Sequence, residues 1–274
     1  MNLYMDTKRK TYSPYGIISE RLKKLQKKMK EVSTDKNIIS EIEKCISLSK
    51  NVEHYTEKCT TKPSKNLETI SEFTFNHDWE DALKKKKSTG FLGSQMMCGH
   101  VAAQFLKILI DIMKARNILE IGMFSGFSTL AMAESLPPDG KIVACEFNPY
   151  AVRIAKKFFK RFCENRIIIE EGPAIETLIR LANAKAKFDF VFIDATKSQY
   201  PQYLKILVER KIVKKGSLIC IDNTFLQGKV FSNYEKQDVS SKVMKKFNSE
   251  IAANPQYHTV MLPLRDGFTL LRVK

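Results

Sequence analysis

The spacing of apolar residues changes character along the chain, and the change predicts two regions. Up to about residue 90 the apolar positions recur at helical intervals: Ile17, Ile18, Leu22, Leu25 and Met29, then Ile38, Ile39, Ile42 and Ile46. Thr60-Thr61-Lys62-Pro63 interrupts that rhythm. From about residue 94 helix-like and strand-like runs alternate. Residues 95–115, with Val101, Phe105, Leu106, Leu109, Ile112 and Met113, read as an amphipathic helix. Short β-branched runs follow at 117–121, 141–146, 166–170, 188–194 and 217–222. Helical segments near 127–135, 149–163, 174–184 and 200–211 lie between them. After a last helix near 238–252, runs at 257–264 and 268–273 flank Arg265-Asp266-Gly267, a hairpin signal.

Continuous apolar strands alternating with helices mean a parallel sheet covered on both faces. Two regions are therefore expected: a helical extension over residues 1–90 and an α/β domain over 91–274. In such sheets ligands bind at the carboxyl ends of the strands, so those positions carry the candidate chemistry.

Composition adds limits more than leads. The 274 residues are 43% apolar and 28% charged, as in an ordinary soluble globular protein. No run approaches 18 consecutive apolar residues, so no membrane-spanning helix and no membrane partner is expected. Met1–Lys10 has no apolar core of the kind a secretory signal needs. Cys45, Cys59, Cys98, Cys145, Cys163 and Cys220 show no metal-ligand spacing, which fits reduced thiols and a cytoplasmic location. The net charge of +16 is spread along the chain: 19 basic against 13 acidic residues in 1–90, and 27 against 17 in 91–274. Lys outnumbers Arg 36 to 10, whereas recognition of phosphate and bases favours Arg. Lys84–Lys87 and Arg21–Lys30 read as solvated faces, and no nucleic-acid partner is expected.

The first strand ends in Glu120-Ile121-Gly122-Met123-Phe124-Ser125-Gly126-Phe127-Ser128. A glycine turn between strand and helix admits a ligand close to the backbone, or serves as a tight turn and nothing more. It has neither the P-loop nor the GxGxxG pattern. Glu146 ends the second strand 24 residues after Gly122. That is where nucleoside-binding α/β folds place the acid that holds the ribose diol. Asn148 and Pro149 read as the cap and first turn of a helix. The fourth and fifth strands end in Asp194 and in Asp222-Asn223, which a parallel sheet brings to one edge. Acidic residues there serve as helix caps in many proteins. Two carboxylates and an amide oxygen also form a hard-oxygen set that leaves about three octahedral positions of Mg²⁺ for other ligands. Beside such a cation Lys197 would lose proton affinity from about 10.4 toward the range of a general base.

Taken together these residues resemble the cation-dependent O-methyltransferases of the catechol and caffeoyl-coenzyme A type, over roughly residues 90–274. The resemblance is carried by LEIGMFSGFSTLAMA, EGPAIETL, FDFVFIDATKSQY, IDNTFLQGKV and LPLRDGFTLLR. TYSPYGIISERL, CTTKPS and SQMMCGHV extend it toward the cyanobacterial-type branch that methylates demethyl-4-deoxygadusol in mycosporine biosynthesis. The fold it implies is the class I methyltransferase, a Rossmann-like seven-stranded sheet with an antiparallel C-terminal hairpin. It implies S-adenosylmethionine around Glu120, Gly122, Met123 and Ser128, with ribose at Glu146 and adenine near Ala174. Cys98 replaces a hydroxyl residue near the cofactor, leaving its backbone to serve. Asp194, also adjacent to the cofactor, would join Asp222 and Asn223 in holding Mg²⁺ or another divalent cation. Lys197 matches the base position and Gln227 a substrate-contacting Asn, while Thr196 stands where many relatives have Asp. A homodimer acting on a small hydroxylated acceptor completes what the resemblance implies.

The chemistry expected is transfer of a sulfonium methyl to one hydroxyl of a vicinal diol or enediol. Two readings from other classes remain at this level. A nucleic-acid methyltransferase would show salt-sensitive binding of RNA or DNA. A cofactor-binding protein without turnover would transfer no labelled methyl to catechols or cyclic enediols.

Overall fold

The computed structural model describes residues 13–32, 35–162, 164–232 and 238–274. Cys163, one of the six cysteines, lies outside them. The chain opens with α1 (Pro14–Val32) and α2 (Lys36–Lys58), a helical hairpin tied by Gln26 Nε2 donating to Glu43. Asp35 starts α2 by accepting the N–H of Asn37 at 2.8 Å. Within the two helices just Gly16 and Ser19 are buried. The break predicted at Thr60–Pro63 separates this hairpin from α3 (Lys65–Asn76) and α4 (Trp79–Lys84).

Those two helices behave differently. Ser64 caps α3 and donates to Glu134 Oε1 at 2.5 Å. The Trp79 indole N–H donates to Thr74 O at 2.9 Å, and Thr74 Oγ1 meets Ser125 Oγ at 2.9 Å in a buried hydrogen bond. Leu67, Ile70 and Trp79 belong to the same apolar cluster as the helices and strands that follow. The boundary expected at residue 90 therefore runs through a packed core. The physical reason is that α3 and α4 bury large side chains on the domain, whereas α1 and α2 pack chiefly on each other.

The remaining elements are α5 (His100–Met113), β1 (Asn117–Ile121), α6 (Phe127–Glu134), β2 (Lys141–Glu146), α7 (Pro149–Arg161) and β3 (Ile167–Glu171). They continue with α8 (Ala174–Asn183), β4 (Phe188–Ile193), α9 (Tyr200–Glu209), β5 (Val213–Asp222), α10 (Val239–Ala253), β6 (Tyr257–Leu262) and β7 (Phe268–Val273). The sheet order is β3-β2-β1-β4-β5-β7-β6, with β7 antiparallel to both β5 and β6 and the other pairs parallel. This is the expected seven-stranded α/β architecture. β5 begins four residues earlier than the apolar run suggested, because Val213 pairs with Phe188 across a register shift.

Strand alternation divides the core in two. Ile118, Ile142, Phe190 and Phe192 meet Leu106, Ile110, Phe127 and Phe158 on one face. Leu119, Val191, Ile219 and Leu271 meet Leu178, Tyr203, Leu207 and Phe247 on the other. The segment Ser94–Met113 is long and apolar enough to cross a bilayer by length and composition. Its helix α5 nevertheless buries Leu106 and Ile110 completely against the domain. The sheet order reverses between β1 and β4, so the carboxyl ends of these two strands open a crevice.

Removing residues 1–58 should leave cooperative thermal unfolding intact, followed by circular dichroism. Removing 1–90 also takes away Leu67, Ile70 and Trp79 and should abolish it. Trp79→Ala alone should cost about 3–5 kcal/mol in denaturant unfolding.

Candidate active site

A cavity of about 840 Å³ opens over the crevice. Gly122 forms its floor with φ +97; a Cβ there would lie 2.1 Å from the carbonyl oxygen of Asp194. Glycine is needed for that backbone approach. The N–H of Asp194 donates to Ile121 O at 2.9 Å, locking β1 and β4 together at the site.

At one end Glu146 receives the N–H of Phe124 and of Asn148, each at 2.7 Å. Burial pushes its carboxyl above the usual range although these N–H bonds oppose the shift. The carboxylate lines the cavity, where a diol could reach it. Asn148 caps α7 through Tyr150 N, as expected, and also donates to Ser88 Oγ at 2.8 Å. That bond fastens the segment before Thr89, Gly90, Phe91 and Leu92, which line the cavity. Met123, Ser128, Ala174, Thr196 and Cys98 line it too. The Cys98 thiol is 5% exposed, and burial raises its pKa.

Glu120 is placed differently from the expectation that it contacts the cofactor. It is fully buried, absent from the cavity wall, and accepts from Ser128 Oγ at 2.5 Å and from Thr129 Oγ1. Burial pushes its carboxyl up to about 8 in spite of these bonds. Glu120 thus reaches the cavity through Ser128.

At the other end Asp194, Asp222, Asn223, Lys197 and Gln227 share the wall. Ile193 pairs with Ile221 in register, so Asp194 and Asp222 leave adjacent strands side by side. Lys197 Nζ donates to Asp194 Oδ1 at 2.7 Å and to Tyr200 OH at 2.9 Å; the phenol in turn donates to Asp222 O at 3.2 Å. Burial disfavours the Lys197 ammonium, but the Asp194 carboxylate and Tyr200 outweigh it and hold its pKa above the ordinary value. The lowering expected from sequence is tied to a cation beside Lys197; with Asp194 and Tyr200 as its partners the side chain is an ion-paired ammonium. Asp222, 2% exposed, is pushed up to about 7 by burial and by the charge of Asp194, with Arg265 and Lys197 opposing.

Among the described residues no group of three or more His, Cys, Asp or Glu forms a metal cluster. The candidate set has two carboxylates and an amide. Its fit to a cation rests on electrostatics: Asp194 and Asp222 crowd in a buried site. Asp222 Oδ1 is occupied by the N–H of Asn223 at 2.7 Å, which leaves Oδ2 for a ligand. Asn223, Leu226 and Gln227 all adopt left-handed conformations, with φ of 59, 47 and 58. Such non-glycine strain gathers where function constrains the backbone.

Sequence reasoning missed Tyr200, Arg265 and Asp266. Asp266 reads as a turn residue, yet it is buried, lines the cavity and accepts the N–H of Gln227 at 2.6 Å. Burial pushes its carboxyl up to about 7. Tyr200 reads as a core aromatic in a helix and gave no polar signal.

The raised Asp222 and Asp266 values fix a sign. Between about pH 4 and pH 7 the folded state binds more protons than the unfolded chain, so stability falls as pH rises through this window. In the presence of a chelator, Asp222→Asn should melt above the wild type at pH 8, and the gap should shrink below pH 5.

Comparison with known proteins places this geometry. A family model described as O-methyltransferase matches residues 69–274, beginning within α3. O-methyltransferase ankF of Aspergillus thermomutatus is 33% identical over 197 residues, 67% of this chain and 82% of that protein. Caffeoyl-CoA O-methyltransferase 1 of Eucalyptus globulus is 36% identical over 182 residues, 62% of this chain and 71% of that one. The O-methyltransferase from Bacillus cereus, solved in complex with SAH, superposes with a TM-score of 0.67 at 28% identity. That match covers 82% of this chain and 97% of the other. The SAH-bound methyltransferase PaMTH1 of Podospora anserina shares the fold, with a TM-score of 0.71 at 24% identity over 83% and 96%. This chain belongs to the O-methyltransferase family and is an S-adenosylmethionine-dependent enzyme of it.

Proposed function

We propose that the enzyme methylates one hydroxyl of a small-molecule vicinal diol or enediol and that a divalent cation assists. The observation that carries this reading is the meeting of Asp194, Asp222 and Asn223 at one end of the cavity, with Glu146 and the glycine turn at the other. In this reading the nucleoside of the methyl donor lies over Glu146 and the acceptor oxygens over the two aspartates. Catechols and demethyl-4-deoxygadusol-like cyclic enediols share the required pair of adjacent oxygens. A cytoplasmic homodimer is part of the same reading, in keeping with the free thiols at Cys45, Cys59, Cys98, Cys145 and Cys220.

Asp194, Asp222 and Asn223 would hold the cation, with Mg²⁺ favoured by the hard-oxygen set. When bound it supplies Lewis acidity that lowers the pKa of a coordinated hydroxyl. Glu146 would orient the nucleoside, and Ser128, steadied by Glu120, would fix the methionine end. Lys197 donates to Asp194 and Tyr200 and must shed a proton to act as base. Much of the rate would come from holding both reactants at attack distance.

Asp222→Ala, or excess EDTA, should abolish methyl transfer to catechol while the dissociation constant for S-adenosylhomocysteine changes little. Turnover that persists in EDTA would remove the cation from this reading. Lys197→Arg keeps the ion pair and loses the base; kcat should fall about 100-fold or more, with the melting temperature retained.

A further inference from the structure

Arg265 stands in the turn between β6 and β7, where the backbone is left-handed with φ 51, a conformation that ordinarily favours glycine or asparagine. A charged side chain is nonetheless kept there. It lines the cavity together with Asp222, Asn223 and Gln227. Its Nη1 donates to Met97 O at 3.2 Å. The neighbouring backbone is shaped around it: a Cβ on Gly99 would lie 2.3 Å from Nη1.

A guanidinium has five N–H donors, and Arg265 shows one hydrogen bond, to Met97 O. No carboxylate among the described residues forms an ion pair with it. Its acidic neighbours each hold a backbone N–H, Asp222 that of Asn223 and Asp266 that of Gln227. Lys197, the other cation of this wall, is already bonded to Asp194 and Tyr200. Lys197 has one N–H left, whereas the planar fork of Arg265 has several, enough for a bidentate contact. Apolar side chains of Phe91, Met96 and Leu226 line the same cavity and can flank a ring.

We propose that Arg265 recognises a negatively charged oxygen, in the first instance a carboxylate, on the acceptor. The enzyme would then take an acidic diol in preference to a neutral one. This rests on the diol reading above. The physical ground is that a guanidinium binds a carboxylate through two parallel hydrogen bonds, which neither a cation held by Asp194 and Asp222 nor the ion-paired Lys197 supplies. Arg265 also stands near enough to Asp222 and Asp266 to favour their ionised forms. A purely neutralising role would survive Arg265→Lys in full, whereas recognition by the planar fork loses part of the preference, which separates the two explanations.

The test is isothermal titration of the full chain, loaded with S-adenosylhomocysteine and Mg²⁺, with 3,4-dihydroxybenzoate, 3,4-dihydroxyphenylacetate and catechol. Methyl transfer to the same three is followed in parallel. The wild type should bind at least one acid more tightly than catechol. In Arg265→Gln that acid-to-catechol ratio should fall about tenfold or more, and Arg265→Lys should keep part of it. No preference for either acid in the wild type, or an equal loss for acids and catechol in Arg265→Gln, overturns the proposal. If none of the three is methylated, the diol reading fails, and the binding ratio still decides the role of Arg265.

Discussion

The close approach of Gly122 to the backbone of Asp194 is the contact on which the site depends. Three strand ends meet there. The N–H of Asp194 bonds Ile121 O on β1, while the N–H groups of Gly122 and Met123 reach Cys145 O on β2 at 3.0 and 3.2 Å. A side chain at position 122 would force β1 and β4 apart, and with them the nucleoside end of the cavity from the acidic end. Methyl transfer needs those ends at a fixed separation, because both substrates must be held in line before the bond can form. One missing Cβ therefore joins cofactor binding to acceptor binding.

Charge is distributed against the overall balance. A chain with a net charge of +16 places Glu120, Glu146, Asp194, Asp222 and Asp266 in or directly beneath one cavity. Burial makes each unpaired carboxylate costly, and raised pKa values at Glu120, Asp222 and Asp266 are the expression of that cost. The two local cations have distinct duties. Lys197 is bound up in a triad with Asp194 and Tyr200, while Arg265 lines the cavity with one bond, to Met97 O. The surface lysines that make up most of the excess are solvated and lie apart from this chemistry.

The N-terminal region contributes through its second half. α3 and α4 pack on the domain and brace the glycine turn through Thr74 and Ser125. The Ser88–Asn148 bond then ties the following segment to the strand end that carries Glu146. The family match begins at residue 69, in α3, which agrees with this packing. The α1–α2 hairpin stands outside that unit.

Periodicity alone disclosed the fold: parallel strands buried on both faces read as continuous apolar runs, and Arg265-Asp266-Gly267 marked the closing hairpin. Glu146, Asp194, Asp222 and Asn223 were legible for a local reason, since a charged or amide group directly at a strand end stands out against the apolar run before it, and Lys197 stood out through its place three residues after Asp194. Glu120 was legible as well, but its partners were not, because the strand does not show that Ser128 and Thr129 turn back from α6 to claim both oxygens. The state of Lys197 depended on Asp194 and Tyr200 arriving within hydrogen-bond reach. Arg265 and Asp266 look like turn residues until the hairpin folds their turn over the end of β5. The difference between α2 and α3 was set by packing too: they have the same helical rhythm, and burial of Leu67 and Ile70 distinguishes them. The sequence determined which residues stand at strand ends, because that is a property of local pattern. Tertiary structure decided which of them face one another, because protonation, pairing and access depend on neighbours that are distant along the chain.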